Sequence, residues 1–370
     1  MLGRYDRAMR ARQPVGRLTL LQQAIPAIRR NNGALLYVPT NFAGAWTDSA
    51  GTDPVNEIAD VIGRMTDRTG GSAVATQSTT ASKPLVHRVP KRFGPNLVSN
   101  GNITGLPAGG GTRYYNMTGA MTPLAAGKTY LMTHTVSGYS GTGNVGIAGA
   151  APAGIVQTKN TANGSYRVVQ TPTAGGVIVF YTTNTNTANF SAIDVREVLE
   201  WSYAMSFDGS NDSLSTNITT GNEGWVCAGV TFGGPVGNFE TVFANGAGSP
   251  TQKGVWLVRT AATKLLRMGI GNGTALTMPT ITVLMGIPQV VEGGWTSTTV
   301  TVGLNGATSS LARTGNATPA PYESLIGAYI PIVHFLNGPM TALVYCPSLP
   351  SSSDRAIIRK CIGSLQGQTL

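Results

Sequence analysis

Short runs in which apolar and polar residues alternate fill most of the chain after residue 96. In one of them Tyr130, Met132, His134 and Val136 recur at every second position, so these four side chains share one face of a predicted strand. The runs are about 5–10 residues long and are bounded by Gly, Asn or Pro, which is typical of strands joined by tight turns. The pattern therefore predicts many short strands packed as sandwiches.

Two short helices are predicted near the chain ends. The first lies in residues 18–28, where apolar residues recur at mixed spacing around Pro26. The second lies in the final stretch, with Ser351 or Ser353 as its N-cap. The apolar positions of the second helix are expected to face the body of the protein, and they are Ile357, Ile358, Cys361 and Leu365.

Together these elements predict an all-β fold of two successive β-sandwich (jelly-roll) domains behind a basic N-terminal arm and a turn-rich module. The arm covers residues 1–35 and the module covers residues 36–95. The sandwiches follow at 96–198 and 199–370, and the second ends in the short helix. The module holds only short apolar pieces between many turn residues, so we expect it to belong to neither sandwich.

Charged residues are scarce, at 11% of the chain, whereas a globular protein carries about 25%. Glycine is abundant instead, with 48 copies. This composition suits strands joined by many turns, and it also suits surfaces buried against other subunits, where Lys and Glu are depleted. A homo-oligomer is therefore expected.

The net charge of +10 is concentrated at the N-terminus. One acidic residue, Asp6, accompanies seven arginines in the first thirty residues: Arg4, Arg7, Arg10, Arg12, Arg17, Arg29 and Arg30. Basic arms can bind nucleic acid, but arginine also pairs with carboxylates and is enriched in protein interfaces. Because no lysine run accompanies these arginines, we expect the arm to anchor the chain to a partner protein rather than to nucleic acid.

Two stretches resemble known sandwich families. Residues 96–198 resemble a jelly-roll carbohydrate-binding module, through the opening NLVSNG, the middle YLMTHTVSGYSGTGNVGI and the closing ANFSAIDVREV. Residues 199–370 resemble a concanavalin A-like (laminin-G-like) lectin or glucanase domain, through Phe207-Asp208-Gly209, Asn211-Asp212 and a strand that ends at Asn305-Gly306. Both resemblances imply a sandwich fold, and neither specifies a ligand.

The segment around Trp46 to Pro84 carries AWTDSAGTDPV, IGRMTDRTGG and ATQSTTASKP ahead of the laminin-G-like stretch. This order resembles virion structural proteins of tailed bacteriophages. The resemblance implies a virion protein, assembled in the host cytoplasm in repeated copies and in contact with other virion proteins. It implies a tail, neck or collar-associated fibre or adhesion component held by its N-terminal arm. The alternatives are a capsid decoration protein and a receptor protein that binds a host surface glycan.

No catalytic set is apparent, so the chain is not expected to be an enzyme. Glucanases of the concanavalin A-like fold carry E-x-D-x-x-E on one strand, whereas Asp194, Glu197 and Glu200 have a different spacing. A polysaccharide-degrading enzyme is therefore the least favoured function. No cofactor is expected, although laminin-G-like domains can bind calcium at the sandwich rim. Asp208 and Asp212 would contribute to such a site, unless they only stabilise their turn.

Aromatic side chains are the candidates for contact with a glycan or with a neighbouring subunit. Tyr114 and Tyr115 are adjacent, so one of them must face outward from a strand, and Tyr139 ends another predicted strand. Trp225 and Trp256 fall within alternating strands, so we expect both in the core.

The three cysteines, Cys227, Cys346 and Cys361, form no metal-binding pair. We expect them either as buried apolar residues or in intermolecular disulfides. His134 lies on an apolar strand face and is expected in the core. No apolar run reaches the length of about 18 residues that a membrane helix needs, so no membrane partner is expected.

Overall fold

The computed structural model describes residues 19–38, 41–99, 101–106, 112–116, 120–149, 160–183, 186–233, 239–246, 253–260, 263–272, 275–314, 324–329 and 334–370. Strands dominate these ranges, and they form antiparallel sheets that pack face to face. The predicted all-β sandwich class is confirmed.

The strands of the N-terminal part are β1 (Ala34–Tyr37), β2 (Ala45–Trp46), β3 (Arg64–Thr66), β4 (Val74–Thr76) and β5 (Leu85–Phe93). A single 3-10 turn, Thr80–Ser82, precedes β5. The next strands are β6 (Ile103–Leu106), β7 (Thr112–Asn116), β8 (Tyr130–Ser140), β9 (Val145–Gly149), β10 (Gly164–Gln170), β11 (Ile178–Thr183) and β12 (Thr187–Asp208).

The C-terminal part holds β13 (Leu214–Thr216), β14 (Gly224–Val230), β15 (Phe239–Gly246), β16 (Lys253–Thr260), β17 (Leu265–Asn272) and β18 (Leu276–Thr277). It continues with β19 (Thr280–Thr282), β20 (Gln289–Trp295), β21 (Thr299–Leu304), β22 (Ala307–Ala312), β23 (Ser324–Ile326) and β24 (Asn337–Cys346). The α-helices in the described residues are α1 (Leu20–Arg30) and α2 (Ser352–Leu365).

The first sandwich packs two antiparallel sheets around the apolar face predicted for β8. On one side lie β10, β8 and the first half of β12, which also pairs with β6; on the other lie β7, β11 and β9. Met132, His134 and Val136 of β8 are buried, and they meet Phe180 and Phe190 in the core. The alternation of apolar and polar residues therefore predicts correctly which side of β8 faces the core.

The second sandwich places a ten-stranded sheet against the larger, eleven-stranded sheet. The ten-stranded sheet has the order β18–β17–β16–β15–β23–β13–β4–β3–β2, with β19 also on β17. In the eleven-stranded sheet, β12 continues to β24, β14, β20, β21 and β22, and β1 and β5 pair at its side. The core between the sheets includes Phe207, Phe243, Met268, Trp295 and Leu343.

Two helices cover the outer face of the eleven-stranded sheet. The side chains of Thr19 and Gln22 cap α1 reciprocally, and Ser351 caps α2, as predicted for one of the two candidate serines. Both helices bury their apolar side against the sheet, through Ala24, Ala27, Ile28, Ile358, Cys361 and Ile362. In the described ranges no helix has the length and apolar character needed to cross a membrane.

Residues 36–95, which the sequence analysis kept apart from both sandwiches, pair with strands of the second one. β1 pairs with β24, and β2, β3 and β4 extend the ten-stranded sheet through the pairing of Thr76 with Ser215. β5 pairs with β12 between Val198 and Ser206. Strands of two or three residues cannot hold a sheet alone, so β2, β3 and β4 need the larger sheet to persist.

The first sandwich is consequently inserted between β5 and β12, two paired strands of the second sandwich. β12 spans 22 residues and contributes to both cores, with Phe190 in the first and Phe207 in the second. Where the chain passes from one sandwich to the other, Glu200 forms ion pairs with Lys91 and Arg92.

Candidate functional site: a trough across the ten-stranded sheet

The ten-stranded sheet packs one face on the core and turns the other face away from it. Residues that pair across antiparallel strands project to the same side, so the register defines one row along this outer face. From β17 to β2 the row is Gly269, Trp256, Ala244, Leu325, Ser215, Thr76, Arg64 and Trp46. Because it crosses eight strands, the row is about 30–35 Å long. We name the outer surface along this row the trough.

An aromatic pocket of about 110 Å³ lies at one end of the trough. The rings of Tyr329 and His334 stack with centroids 5.5 Å apart, and Phe239 meets His334 edge-on at 4.8 Å. The pocket is lined by Phe239, Trp256, Val258, Arg267, Leu276, Met278, Tyr329 and His334. Burial raises the pKa of Tyr329, which marks the surroundings as poorly hydrated.

Trp256 forms part of the wall of this pocket because its indole lies against Gly269 on the neighbouring strand. A side-chain carbon at Gly269 would collide with the ring, and its distance to Cζ2 would be 2.6 Å. Trp256 is 3% exposed, and it packs with Ala244 and Val258 on the outer face. The sequence analysis expected Trp256 in the core; it is buried, but on the side of the sheet opposite to the core.

A polar pocket of about 530 Å³ lies on the other half of the trough. It is lined by Ser49, Thr76, Gln77, Ser78, Ser213, Ser215 and Leu325. Gln77 Nε2 donates to the carbonyl and the hydroxyl of Ser213 at 3.2 and 3.1 Å, so its amide is held in place. This pocket therefore presents short hydroxyl and amide groups on a rigid floor.

The loop that brings Ser49 to the polar pocket is ordered by one carboxylate. Asp48 accepts hydrogen bonds from the backbone N–H groups of Gly51, Thr52 and Asp53 and from the Thr52 hydroxyl. The backbone bond from Asp53 and the hydroxyl of Thr52 lower the pKa of Asp48 to about 2, so the carboxylate stays ionised.

The arginines predicted as an anchor divide into two groups. Arg4, Arg7, Arg10, Arg12 and Arg17 lie outside the described residues. Arg29 and Arg30 contact their own chain: Arg29 Nε donates to the Thr69 carbonyl and Arg30 Nη2 to Asp354, each at 2.5 Å. These two arginines dock α1 on the second sandwich.

The tyrosines predicted as contact residues lie in the first sandwich, away from the trough. Tyr115 packs against the core of that sandwich, and the Tyr139 hydroxyl donates to the Gly143 carbonyl at 2.7 Å. Tyr114 pairs through its backbone with Tyr181. Tyr115 and Tyr139 thus serve the first sandwich itself, and the structure does not bring the three tyrosines into the trough.

The remaining candidates have structural positions. Trp225 is 1% exposed and donates to Glu292; it is buried, but between the eleven-stranded sheet and the helices rather than between the two sheets. The three cysteines are buried in the described structure, so they present no thiol for an intermolecular bond. Asp208 accepts hydrogen bonds from the N–H groups of Ser210 and Asn211, and Asp212 accepts one from the N–H of Asp208, so both carboxylates stabilise the turn. Among the described residues, no three His, Cys, Asp or Glu side chains converge as a metal site would require.

The functional residues that sequence reasoning missed come from segments far apart in the chain. One signal was available in β16, where all four consecutive residues from Val255 to Val258 are apolar. A strand that is apolar on both faces indicates that its outer face is also covered. Nothing in the sequence shows that β4, about 140 residues before β13, would complete the same surface.

Comparisons with known proteins give architectural likenesses. No family model matches the chain, and no curated protein matches it. The chain is similar to Ruminococcus gnavus IT-sialidase CBM40 bound to alpha2,6 sialyllactose, at 11% identity and a TM-score of 0.32 over 38% of this chain and 84% of that one. It is similar to domains LG4-5 of the mouse laminin alpha1 chain, at 9% identity and a TM-score of 0.30 over 71% and 96% of the two chains.

A third similar structure is Trypanosoma rangeli sialidase in complex with the inhibitor DANA, at 12% identity and a TM-score of 0.34. The match covers 43% of this chain and only 27% of that sialidase. At these TM-scores the sandwich architecture of this protein rests on its own sheet pairing, and its function has to be argued from its own residues.

Proposed function

We propose that this protein is a carbohydrate-binding adhesion protein that holds an extended sugar chain along the trough. The observation that carries the proposal is that an aromatic pocket and a hydroxyl-lined pocket lie on the same face of the ten-stranded sheet. Sugars have apolar ring faces, which pack on aromatic rings, and hydroxyl groups, which exchange hydrogen bonds with Ser, Thr and Gln. The trough offers both kinds of contact along a line.

The lining of the two pockets favours binding over hydrolysis. Glycosidases place two carboxylates on either side of the bond that they cleave. The described residues that line the aromatic and polar pockets include no Asp and no Glu. The proposed activity is therefore retention of the sugar chain without cleavage.

A blocking substitution tests the trough without disturbing the core. Ser215 lies on the floor of the polar pocket, so Ser215→Tyr would fill that pocket from the outer face. The matched control is Ser310→Tyr, on the exposed outer strand β22 of the other sheet. On a glycan array, the Ser310 variant should keep the binding pattern of the wild type, whereas the Ser215 variant should lose it. Absence of glycan binding by the wild type, or equal binding by both variants, would remove the proposal.

A place in a phage particle is the second candidate, and the docked N-terminal segment favours it. Arg30 and Asn31 both bond to Asp354, and Arg29 bonds to the loop at Thr69, so α1 is fixed to the body. The segment that follows residues 1–18 is therefore held on the body of the protein. This suits residues 1–18 as the anchor of a tail, neck or collar fibre or of a capsid decoration protein. Deletion of residues 1–18 should abolish incorporation into particles while leaving glycan binding intact; normal incorporation would exclude the anchoring role.

A further inference from the structure

Arg267 of β17 stands in the wall of the aromatic pocket, where it pairs with Val258 across the sheet. Its Nε is buried, and no described residue accepts a hydrogen bond from it. Two other arginines of the same sandwich have acidic partners: Arg259 pairs with Glu240, and Arg359 pairs with Glu292 at 2.8 Å. The buried Arg313 donates to the backbone carbonyls of Asn222 and Thr296 instead. Within the described ranges Arg267 thus differs from Arg259 and Arg359 by having no counter-ion.

Leaving the buried Nε–H of Arg267 without an acceptor is costly to the folded protein. Arginine does not lose its proton in proteins, so it cannot escape the cost by becoming neutral. Its apolar neighbours in the pocket replace water without supplying acceptors, and neither the Tyr329 hydroxyl nor the His334 ring accepts a hydrogen bond from Arg267 Nε. An anion that entered the pocket would regain the missing interaction in a poorly hydrated place, where charge-assisted hydrogen bonds are strong.

The shape and size of the pocket restrict what the anion can be attached to. Its volume of about 110 Å³ accommodates a substituent or one edge of a ring rather than a length of chain. The ring beside that substituent would meet the rings of Tyr329 and His334, and the polar pocket lies farther along the same face of the sheet. A planar carboxylate matches the fork of a guanidinium, and it is the smallest such anion that a sugar ring carries directly.

We propose that the aromatic pocket is a subsite for a sugar that carries a carboxylate, with Arg267 as its counter-ion. This inference rests on the proposed function, because it identifies the chemical class of the sugar that the trough binds. The carboxylate belongs either to an acidic sugar within the chain or to one acidic sugar at its non-reducing end.

The test compares ligands that differ only in charge. The full-length wild type, Arg267→Gln and Arg88→Gln are titrated with a polyuronate, with the same polymer after its carboxyl groups are reduced to alcohols, and with a sulfated neutral polymer. Arg88 is on β5, outside the trough, and its guanidinium lies over the ring of Trp201. Its variant therefore loses the same charge without altering the pocket. An oligosaccharide with a single acidic sugar at its non-reducing end shows whether the pocket binds the carboxylate of a terminal sugar or that of a sugar within the chain.

The wild type and the Arg88 variant should prefer a carboxylated ligand to its reduced form by about tenfold or more, the size expected of one charge-assisted hydrogen bond. The Arg267 variant should bind both forms alike, at the affinity of the reduced form. If the wild type binds the reduced ligand as well as the acidic one, or prefers the sulfated polymer, the subsite is excluded while the trough stands. If none of the ligands and no array glycan binds, the proposed function fails and the subsite fails with it.

Discussion

The contact between Gly269 and Trp256 gives the sharpest prediction about the trough. A methyl group introduced by Gly269→Ala would lie 2.6 Å from Cζ2 of the indole, whereas ordinary contact begins at 3.4 Å. Cε2 and Nε1 of the indole would lie closer still, so the ring must move by more than 0.8 Å. The indole is 3% exposed and packed on the outer face, so it cannot move without displacing its neighbours.

The expected cost follows from two opposing terms. Overpacking a well-filled site costs about 1–3 kcal/mol, whereas replacing a strand glycine by alanine returns about 0.5–1 kcal/mol of conformational entropy. The free energy of unfolding should therefore fall by about 1–2 kcal/mol, which leaves the protein folded. Displacement of the indole should also weaken glycan binding by about three- to tenfold, the worth of one aromatic contact.

Urea unfolding, followed by tryptophan fluorescence, and titration with an array-selected glycan measure the two effects. Gly221→Ala is the matched control, because a side-chain carbon there would have its nearest neighbour, the Glu223 carbonyl, at 3.7 Å. It should change stability by less than about 0.5 kcal/mol. Adding Trp256→Phe to the Gly269 variant should recover part of the stability, since the smaller ring leaves room for the methyl group. If Gly269→Ala behaves like Gly221→Ala in both assays, the indole does not hold the position described for it.

Three further predictions concern stability and the insertion. Arg359→Ala leaves the carboxylate of Glu292, which is 2% exposed, without its ion pair. The free energy of unfolding measured in urea should fall by about 3 kcal/mol. The control Lys360→Ala, at an exposed position, should leave it almost unchanged. Burial, together with a neighbouring carboxylate, raises the pKa of Asp212 to about 6. The folded state therefore binds this proton more tightly, so the contribution to stability is complete below pH 4 and is lost as the pH rises through 6. As the pH rises through that window, the wild type should lose stability relative to Asp212→Asn. A difference in the free energy of unfolding that stays constant with pH would contradict the raised pKa of Asp212. Finally, replacing residues 95–196 by a tight turn should leave the second sandwich folded and able to bind glycan, because a backbone hydrogen bond of 2.9 Å already joins the flanking residues; an aggregated product would show that the sandwiches depend on each other.

Local patterns in the sequence predicted the elements whose causes are local. The alternation around Met132 fixes the buried side of β8, and Ser351 caps α2 because its hydroxyl accepts a hydrogen bond from the N–H of Asp354. The all-β class follows from the same kind of evidence. These features need only a few neighbouring residues, so periodicity and capping chemistry are sufficient to recognise them.

The trough could not be predicted in the same way, because its residues meet through long-range pairing. The entire first sandwich lies between Thr76 and Ser215 in the sequence, and a strand of three residues carries too little pattern to indicate its partner. Alternation placed Trp256 on one side of β16, but it could not say which side faces the other sheet. The partner of Arg30 could not be predicted for a related reason: its acceptor is Asp354, more than 300 positions away in the same chain.

The unbroken course of β12 has a mechanical consequence. Both connections to the first sandwich leave from the same end of the β5–β12 pair, and β12 continues without interruption into the first core. A force that pulls the two sandwiches apart therefore acts along these strands, so the inter-strand hydrogen bonds are loaded in shear and share the load. A protein that holds a surface ligand while its other end is tethered would transmit tension along its stiffest path, instead of concentrating it in a flexible linker.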